Sequence, residues 1–194
     1  GRNWGYDTVL PFAPEPSYGT PEQFKAFVDE AHRYGLMVFL DVVYTHWGPA
    51  GDGLPAFARP FLREDVATPW GAAIDYRRRP VRDFVVHNAL FWIEEYRLDG
   101  LRLDAAGDIV DEETPDIVDE VAAAVAERFG GQRYVHLMLE SPPPDAGRLD
   151  GAYRARWNVE LGQALHVALT GENDPDDARF AVDPIDYVGR GLAE

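Results

Sequence analysis

Leu36-Met37-Val38-Phe39-Leu40-Asp41-Val42-Val43-Tyr44 is the stretch that decides the fold. It is apolar at odd and even positions alike. A strand with one wet face alternates, whereas a strand apolar on both faces suits burial in a parallel sheet. Upstream, Thr20-Pro21-Glu22-Gln23 supplies an N-cap, a proline at the first helical position and a polar first turn. Phe24, Phe27, Val28 and Ala31 then recur at helical spacing until Gly35 ends the segment. Before that helix, Thr8 to Phe12 is a short apolar run closed by prolines and reads as a further strand.

Downstream, residues 47–79 are rich in Gly, Pro and aromatics and read as a long loop excursion; such loops are uncommon and often functional. A helix is expected from about Val81 to Tyr96, with Phe84, Ala89, Trp92 and Ile93 facing the core. Leu98 to Ala105 reads as a short strand ending in charge. Thr114-Pro115 opens a helix whose apolar side is Ile117, Val118, Val121 and Val125, stopped by Gly130-Gly131. Tyr134 to Leu139 is the next strand, ending at Glu140. Residues 151–170 read as helical in their second half, and the tail beyond Gly171 gives little pattern. This alternation implies an α/β fold with a parallel sheet, and right-handed crossovers put all strand C-termini on one edge.

Composition bounds the function. The 194 residues are 46% hydrophobic, 27% charged and 12% aromatic, which is globular composition for one domain or a large piece of one. There is no cysteine, so disulfides, thiolate nucleophiles and cysteine-held metals are excluded within the chain. Acidic residues number 34 against 18 Lys plus Arg, a net charge of −16, so no nucleic-acid partner is expected. The basic cluster Arg77-Arg78-Arg79 reads as a solvated loop. No apolar run reaches the roughly 18 residues of a membrane helix, so no membrane partner is expected. The N-terminus has neither an initiator Met nor a signal-peptide pattern, so the chain reads as an excised or incomplete piece.

The candidate chemistry lies at the strand ends: Asp41 and His46 after one strand, Arg102 and Asp104 in the next, Glu140 after the third. Singly, each acid fits a capping carboxylate; three successive strands with acids at the same end fit that reading less well. Arg102 and Asp104 are two apart in a strand and share a face, so the cation can keep the carboxylate ionised and oriented. On spacing alone a structural Arg–Asp pair is the simpler reading. An oriented carboxylate can be a nucleophile. Glu140, at the edge of an apolar strand, suits a general acid. Two carboxyls on neighbouring strand ends are what glycoside hydrolysis needs. The other histidines, His32, His87, His136 and His166, read as helix or core residues, and no spacing makes a convincing metal site. Tyr44, Trp47, Phe57, Phe61, Trp70 and Tyr76 crowd around the loop; such aromatics either stack on sugar rings or anchor the core.

With these residues in place, the chain resembles the alpha-amylase superfamily of glycoside hydrolases. Asp41-Val42-Val43-Tyr44-Thr45-His46 is similar to its first conserved region, Gly100-Leu101-Arg102-Leu103-Asp104-Ala105 to its second, and Glu140 at a strand end to its third. Within the superfamily the likeness is nearest to the trehalohydrolases of malto-oligosyltrehalose. It runs over Trp4-Gly5-Tyr6-Asp7, Tyr18-Gly19-Thr20-Pro21, residues 40–49, residues 68–74 and residues 164–172. Glycogen branching enzymes share the first half.

The resemblance implies a partial (β/α)8 TIM barrel. One catalytic domain over 1–194 would span about the second to fifth βα units, with the loop insertion at 47–79. It implies a retaining double displacement with Asp104 as nucleophile and Glu140 as general acid/base. Arg102 would orient Asp104, and Asp41, His46, Trp47 and Phe12 would contact the substrate. The substrate would be an α-1,4-glucan or malto-oligosyltrehalose, with trehalose released, in a cytoplasmic enzyme with no cofactor and no metal. The alternatives are an α-glucan branching enzyme and a non-catalytic glucan-binding module. Three positions depart from the family pattern: Thr45 for the usual Asn, which lowers the expectation of calcium; Gly107 for a His; and Phe12 for a stacking Tyr. No match to the family's third catalytic acid follows Glu140.

Overall fold

The computed structural model describes residues 4–6, 9–48, 57–140, 146–149, 151–172 and 178–193. Four strands form a parallel sheet: β1 (Phe39–Val43), β4 (Gly100–Asp104), β5 (His136–Glu140) and β6 (Tyr153–Trp157), in the order β1-β4-β5-β6. Among the described residues the sheet is open, not a closed barrel. Helix α1 (Pro21–Arg33) leads into β1, α2 (Arg79–Glu95) and α3 (Ile117–Phe129) connect later strands, and α4 (Ala146–Leu149) is a single turn before β6. Helices α5 (Val159–Thr170) and α6 (Pro184–Ala193) pack on each other around Phe180, Ala164 and Val167. Among the described residues no helix is long and apolar enough to cross a membrane.

Local chemistry sets these boundaries. The Thr20 hydroxyl accepts from the Gln23 backbone N–H, and Gln23 Oε1 accepts from the Thr20 N–H, a reciprocal box that starts α1. Gly35, at φ +72°, lets the chain leave it. Helix α3 begins two residues later than Thr114-Pro115 suggests. Asp116 caps it, Asp111 Oδ2 takes the Ile117 N–H, and the Pro115 carbonyl is held by Arg82. The helix-facing side of the sheet is Leu101, Leu103, Leu137, Leu139 and Tyr153, all buried against Val81, Val85, Ile93, Ile117 and Val121. The opposite face carries Asp41, Arg102, Asp104, Glu140 and Trp157.

Several expectations are corrected. Residues 9–12 form turns rather than a strand, and Thr8 lies outside the described residues. The carbonyl of Pro11 instead accepts from Asn88 and Trp92 of α2. The strand at 36–44 is shorter than its apolar run: Leu36 and Met37 precede β1 and are exposed. The excursion at 47–79 holds an antiparallel hairpin, β2 (Leu62–Thr68) and β3 (Gly71–Ile74). Thr68 closes its turn, its hydroxyl donating to the Gly71 carbonyl and accepting from the Trp70 and Gly71 N–H groups. Strand β6 stands where no strand is expected, and helix α6 where the sequence shows little pattern. Arg77 and Arg78 pair with Asp75, and Arg79 with Asp83 and Glu120, so the basic cluster is internally neutralised.

Candidate active site

Parallel pairing brings the predicted residues to one edge. Register sets Asp41 beside Arg102, Val43 beside Asp104, and Glu140 beside Trp157. Arg102 then reaches three carboxylates from one guanidinium. Its Nη1 donates to Asp41 Oδ2 at 2.9 Å and to Asp104 Oδ1 at 2.9 Å; its Nη2 donates to Glu140 Oε2 at 2.8 Å. Charge-assisted bonds of this length are the strong kind, and only a planar fork serves several acceptors at once. Glu140 Oε2 also accepts from the Ala105 N–H at 3.1 Å. Ala105 presents that N–H from a left-handed backbone, φ 47°, which re-aims the chain at the end of β4.

The electrostatics differ from the expectation that Arg102 simply keeps Asp104 ionised. Burial raises the Asp104 carboxyl first, and a hydrogen bond to Glu140 and the charge of Glu140 raise it further. Arg102 opposes both and is outweighed, so Asp104 is pushed up to about 6. Arg102 thus bridges the two carboxyls, and the nearness of Glu140 helps to raise Asp104. Two carboxyls held this way can divide the labour of attack and proton donation.

Asp41 is also the acceptor of the Tyr6 hydroxyl at 2.9 Å. Burial raises the Tyr6 phenol first, and the Asp41 bond adds to it. In the sequence Tyr6 stands out only within the Trp4-Gly5-Tyr6-Asp7 likeness, and its contact with Asp41, 35 residues away, depends on the fold. His46 and Thr45 are both buried, with His46 Nδ1 and Thr45 Oγ1 2.8 Å apart, so the residue standing for the usual Asn still orients the imidazole. The His46 ring stacks on Trp70 at 5.3 Å. Asp41, His46, Trp47 and Tyr6 line a cleft of about 980 Å3 that is otherwise mostly apolar.

Phe12 is not among the residues that line this cleft, whereas Trp47 lines it while anchored by its neighbours. The Phe12 ring sits against Phe84 and Phe91 of α2, at 5.0 and 5.3 Å, because the turn at 9–12 is pinned to that helix. Trp47 is 6% exposed and donates its indole N–H to the Phe61 carbonyl. Gly107 lines a separate cavity of about 150 Å3 with Asp111, Asp116 and Arg148. Of the loop aromatics, Tyr44 and Tyr76 are core: the Tyr76 hydroxyl donates to the Tyr44 carbonyl and the Tyr44 hydroxyl to Asn88. His32, expected to be structural, pairs with Asp99. The residue that sequence reasoning missed is Trp157, whose ring lies over Arg102. Its signal was weak, because Tyr153-Arg154-Ala155-Arg156-Trp157 has no apolar run.

No family model matches the chain. The malto-oligosyltrehalose trehalohydrolase of Deinococcus radiodurans is 39% identical over 179 residues, covering 89% of this chain and 28% of the relative. A 1,4-alpha-glucan branching enzyme of Nocardia farcinica is 41% identical over 117 residues, covering 57% of this chain and 16% of the relative. A crystal structure of a Salmonella typhimurium protein assigned as an alpha amylase covers all of this chain and 34% of its own, at 40% identity and a TM-score of 0.90. A pullulanase of Paenibacillus barengoltzii solved with maltotriose covers 71% of this chain and 23% of its own, at 25% identity and a TM-score of 0.61. The chain therefore spans about a third or less of the length of the proteins it matches.

Proposed function

This chain is a relative of the alpha-amylase-type glycoside hydrolases, and on that premise we propose that it carries part of the catalytic centre of a trehalose-releasing hydrolase. The reaction is cleavage of the α-1,4 bond next to the terminal trehalose of malto-oligosyltrehalose. The observation that carries the reading is the single Arg102 guanidinium holding Asp41, Asp104 and Glu140 on three adjacent strand ends. We read residues 1–194 as part of a (β/α)8 catalytic domain, about its second to fifth βα units. The strand C-termini of such barrels bear the active site.

In this proposal Asp104 attacks the anomeric carbon while Glu140 protonates the leaving oxygen. Water, deprotonated by Glu140, then releases the sugar from Asp104 and regenerates both groups. Two inversions give net retention, which needs carboxyls about 5–5.5 Å apart rather than the roughly 6.5–9.5 Å of an inverting pair. That one Arg102 guanidinium holds both Asp104 and Glu140 favours the close arrangement. Asp41 and His46 would bind hydroxyls of the reacting sugar, and Arg102 would hold Asp104 in line. The branching-enzyme alternative differs in the second step, where a sugar hydroxyl replaces water.

The test is product analysis with the full-length protein. Incubated with malto-oligosyltrehalose, it should release free trehalose, and Asp104→Asn should lose about 10^4-fold or more of that rate. New α-1,6 branches without trehalose would move the assignment to the branching enzymes. Glucan binding with no turnover in the parent would leave only a binding module.

A further inference from the structure

Trp157 has no role in the proposed reaction, yet it touches the group that organises the site. It closes β6, in register with Glu140, and strand alternation sets it on the face that carries Arg102 and Asp104. The centre of its ring is 4.9 Å from Arg102 Cζ, within the range of a cation–π contact. The N–H groups of a guanidinium point outward in its plane, and here Nη1 and Nη2 are spent on three carboxylates. Arg102 Nε is buried and has no hydrogen-bond acceptor among the described residues, so no bond fixes the fork from its stem side. The indole is left to do that. Trp157 is also 59% exposed, so core packing does not account for its place.

Resting on the proposed function, we propose that Trp157 is a positioning residue of the catalytic centre, holding the Arg102 guanidinium in the plane from which it reaches Asp41, Asp104 and Glu140. The hold matters most during turnover. When Glu140 gives its proton to the leaving oxygen it becomes a carboxylate and draws harder on Arg102. A guanidinium stacked on Trp157 keeps its place on Asp104 and Asp41 through that change.

The test uses Trp157→Leu and Trp157→Phe in the full-length protein. The charged and titratable groups around Asp104 are Arg102 on its own strand, Asp41 on β1, Glu140 on β5, and Tyr6. Without the stack the cation is held less firmly, so Asp104 should titrate at higher pH in Trp157→Leu, read by the 13C signal of its carboxyl and assigned with Asp104→Asn. The acid limb of kcat should move up with it. At pH 6 kcat should fall ~10-fold with KM within about twofold, and Trp157→Phe, which keeps an aromatic face, should lose less. In the parent, the emission of Trp157, taken as the difference from Trp157→Phe, should step at the pH where Asp104 titrates. That arm needs no Leu variant. An unmoved carboxyl titration in Trp157→Leu, a loss confined to KM, or a flat emission difference would overturn the proposal. A parent that releases no trehalose would count against the proposed function, while the carboxyl and emission titrations would still decide the role of Trp157.

Discussion

Arg102 concentrates three ion pairs on a side chain only 11% exposed, which fixes what its replacement should do. A lysine ammonium has no planar fork and cannot reach three carboxylates in the same geometry. Arg102→Lys should therefore cut kcat for trehalose release by ~100-fold with a smaller change in KM. Steady-state kinetics checks this, and a variant within threefold of the parent would remove Arg102 from the proposed machinery. Asp104 gives a second prediction, with a definite sign. Its carboxyl is raised from 3.8 to about 6, so the folded state holds this proton more tightly than the unfolded chain does. The stability it contributes is full below about pH 4 and is lost as pH rises through about 6. Asp104→Asn never ionises, so at pH 7 it should be more stable than the parent, on the order of 1 kcal/mol after solvent screening. At pH 4 the gain should vanish. Thermal unfolding at the two pH values decides it, and an Asn variant less stable than the parent at pH 7 refutes the argument. The same titration puts the acid limb of activity near pH 6 in the parent.

Among the elements, those carrying the carboxylates were legible because their signals are local. The α1 cap, the apolar runs ending in Asp41, Asp104 and Glu140, and Gly130 after α3 lie in single short stretches of sequence. The hairpin was missed for the opposite reason. Its strands are short and interrupted by a bulge between Arg63 and Ala67, and they are held by bonds to distant residues. Asp75 N–H donates to the Phe61 carbonyl, and Trp47 N–H to the Ala72 carbonyl. Strand β6 alternates charge with aromatics at the end of the described sheet, and α6 carries Gly189 and Gly191, which weaken a helical signal. The placing of Phe12 is hidden in the sequence for the same reason: its turn is held by Asn88 and Trp92, which donate to the Pro11 carbonyl from 77 and 81 residues away in sequence. The site was legible as a set of strand ends. Which carboxyl carries the raised pKa was not, because that follows from the distance between strands. One element-scale feature is testable directly. A Cβ at Gly100 would stand 2.2 Å from the His136 carbonyl oxygen and 2.7 Å from the Phe39 ring. Gly100→Ala should therefore push β1, β4 and β5 apart at their N-terminal ends and destabilise by about 2–4 kcal/mol. Urea unfolding measures it, and a loss under 0.5 kcal/mol would mean that the strands yield there at little cost.

Taken whole, the molecule is uneven in what it covers. Between sheet and helices the core is closed, with Leu98, Leu101, Leu103, Leu137 and Leu139 at 0–1% exposure. At the β1 side it is open. Strand β1 has β4 on one edge and no sheet partner on the other among the described residues. Leu10, Phe27, Leu36 and Met37 are 58–69% exposed there and at the adjoining turn and helix. Contiguous apolar surface beside an unpaired strand edge is a site of association. The net charge of −16 works against self-association, but its range is about one Debye length and shortens as salt is added. These two tendencies predict a salt-dependent outcome for residues 1–194 expressed alone. At low ionic strength repulsion should keep the chain dispersed while its apolar surface binds a hydrophobic dye. At about 0.5 M NaCl, where the Debye length is near 4 Å, the chain should self-associate at micromolar concentration. Sedimentation equilibrium across a salt series, with dye fluorescence alongside, reads both. A monomer that stays dark to the dye at every salt concentration would show that the β1 side is covered by the chain itself.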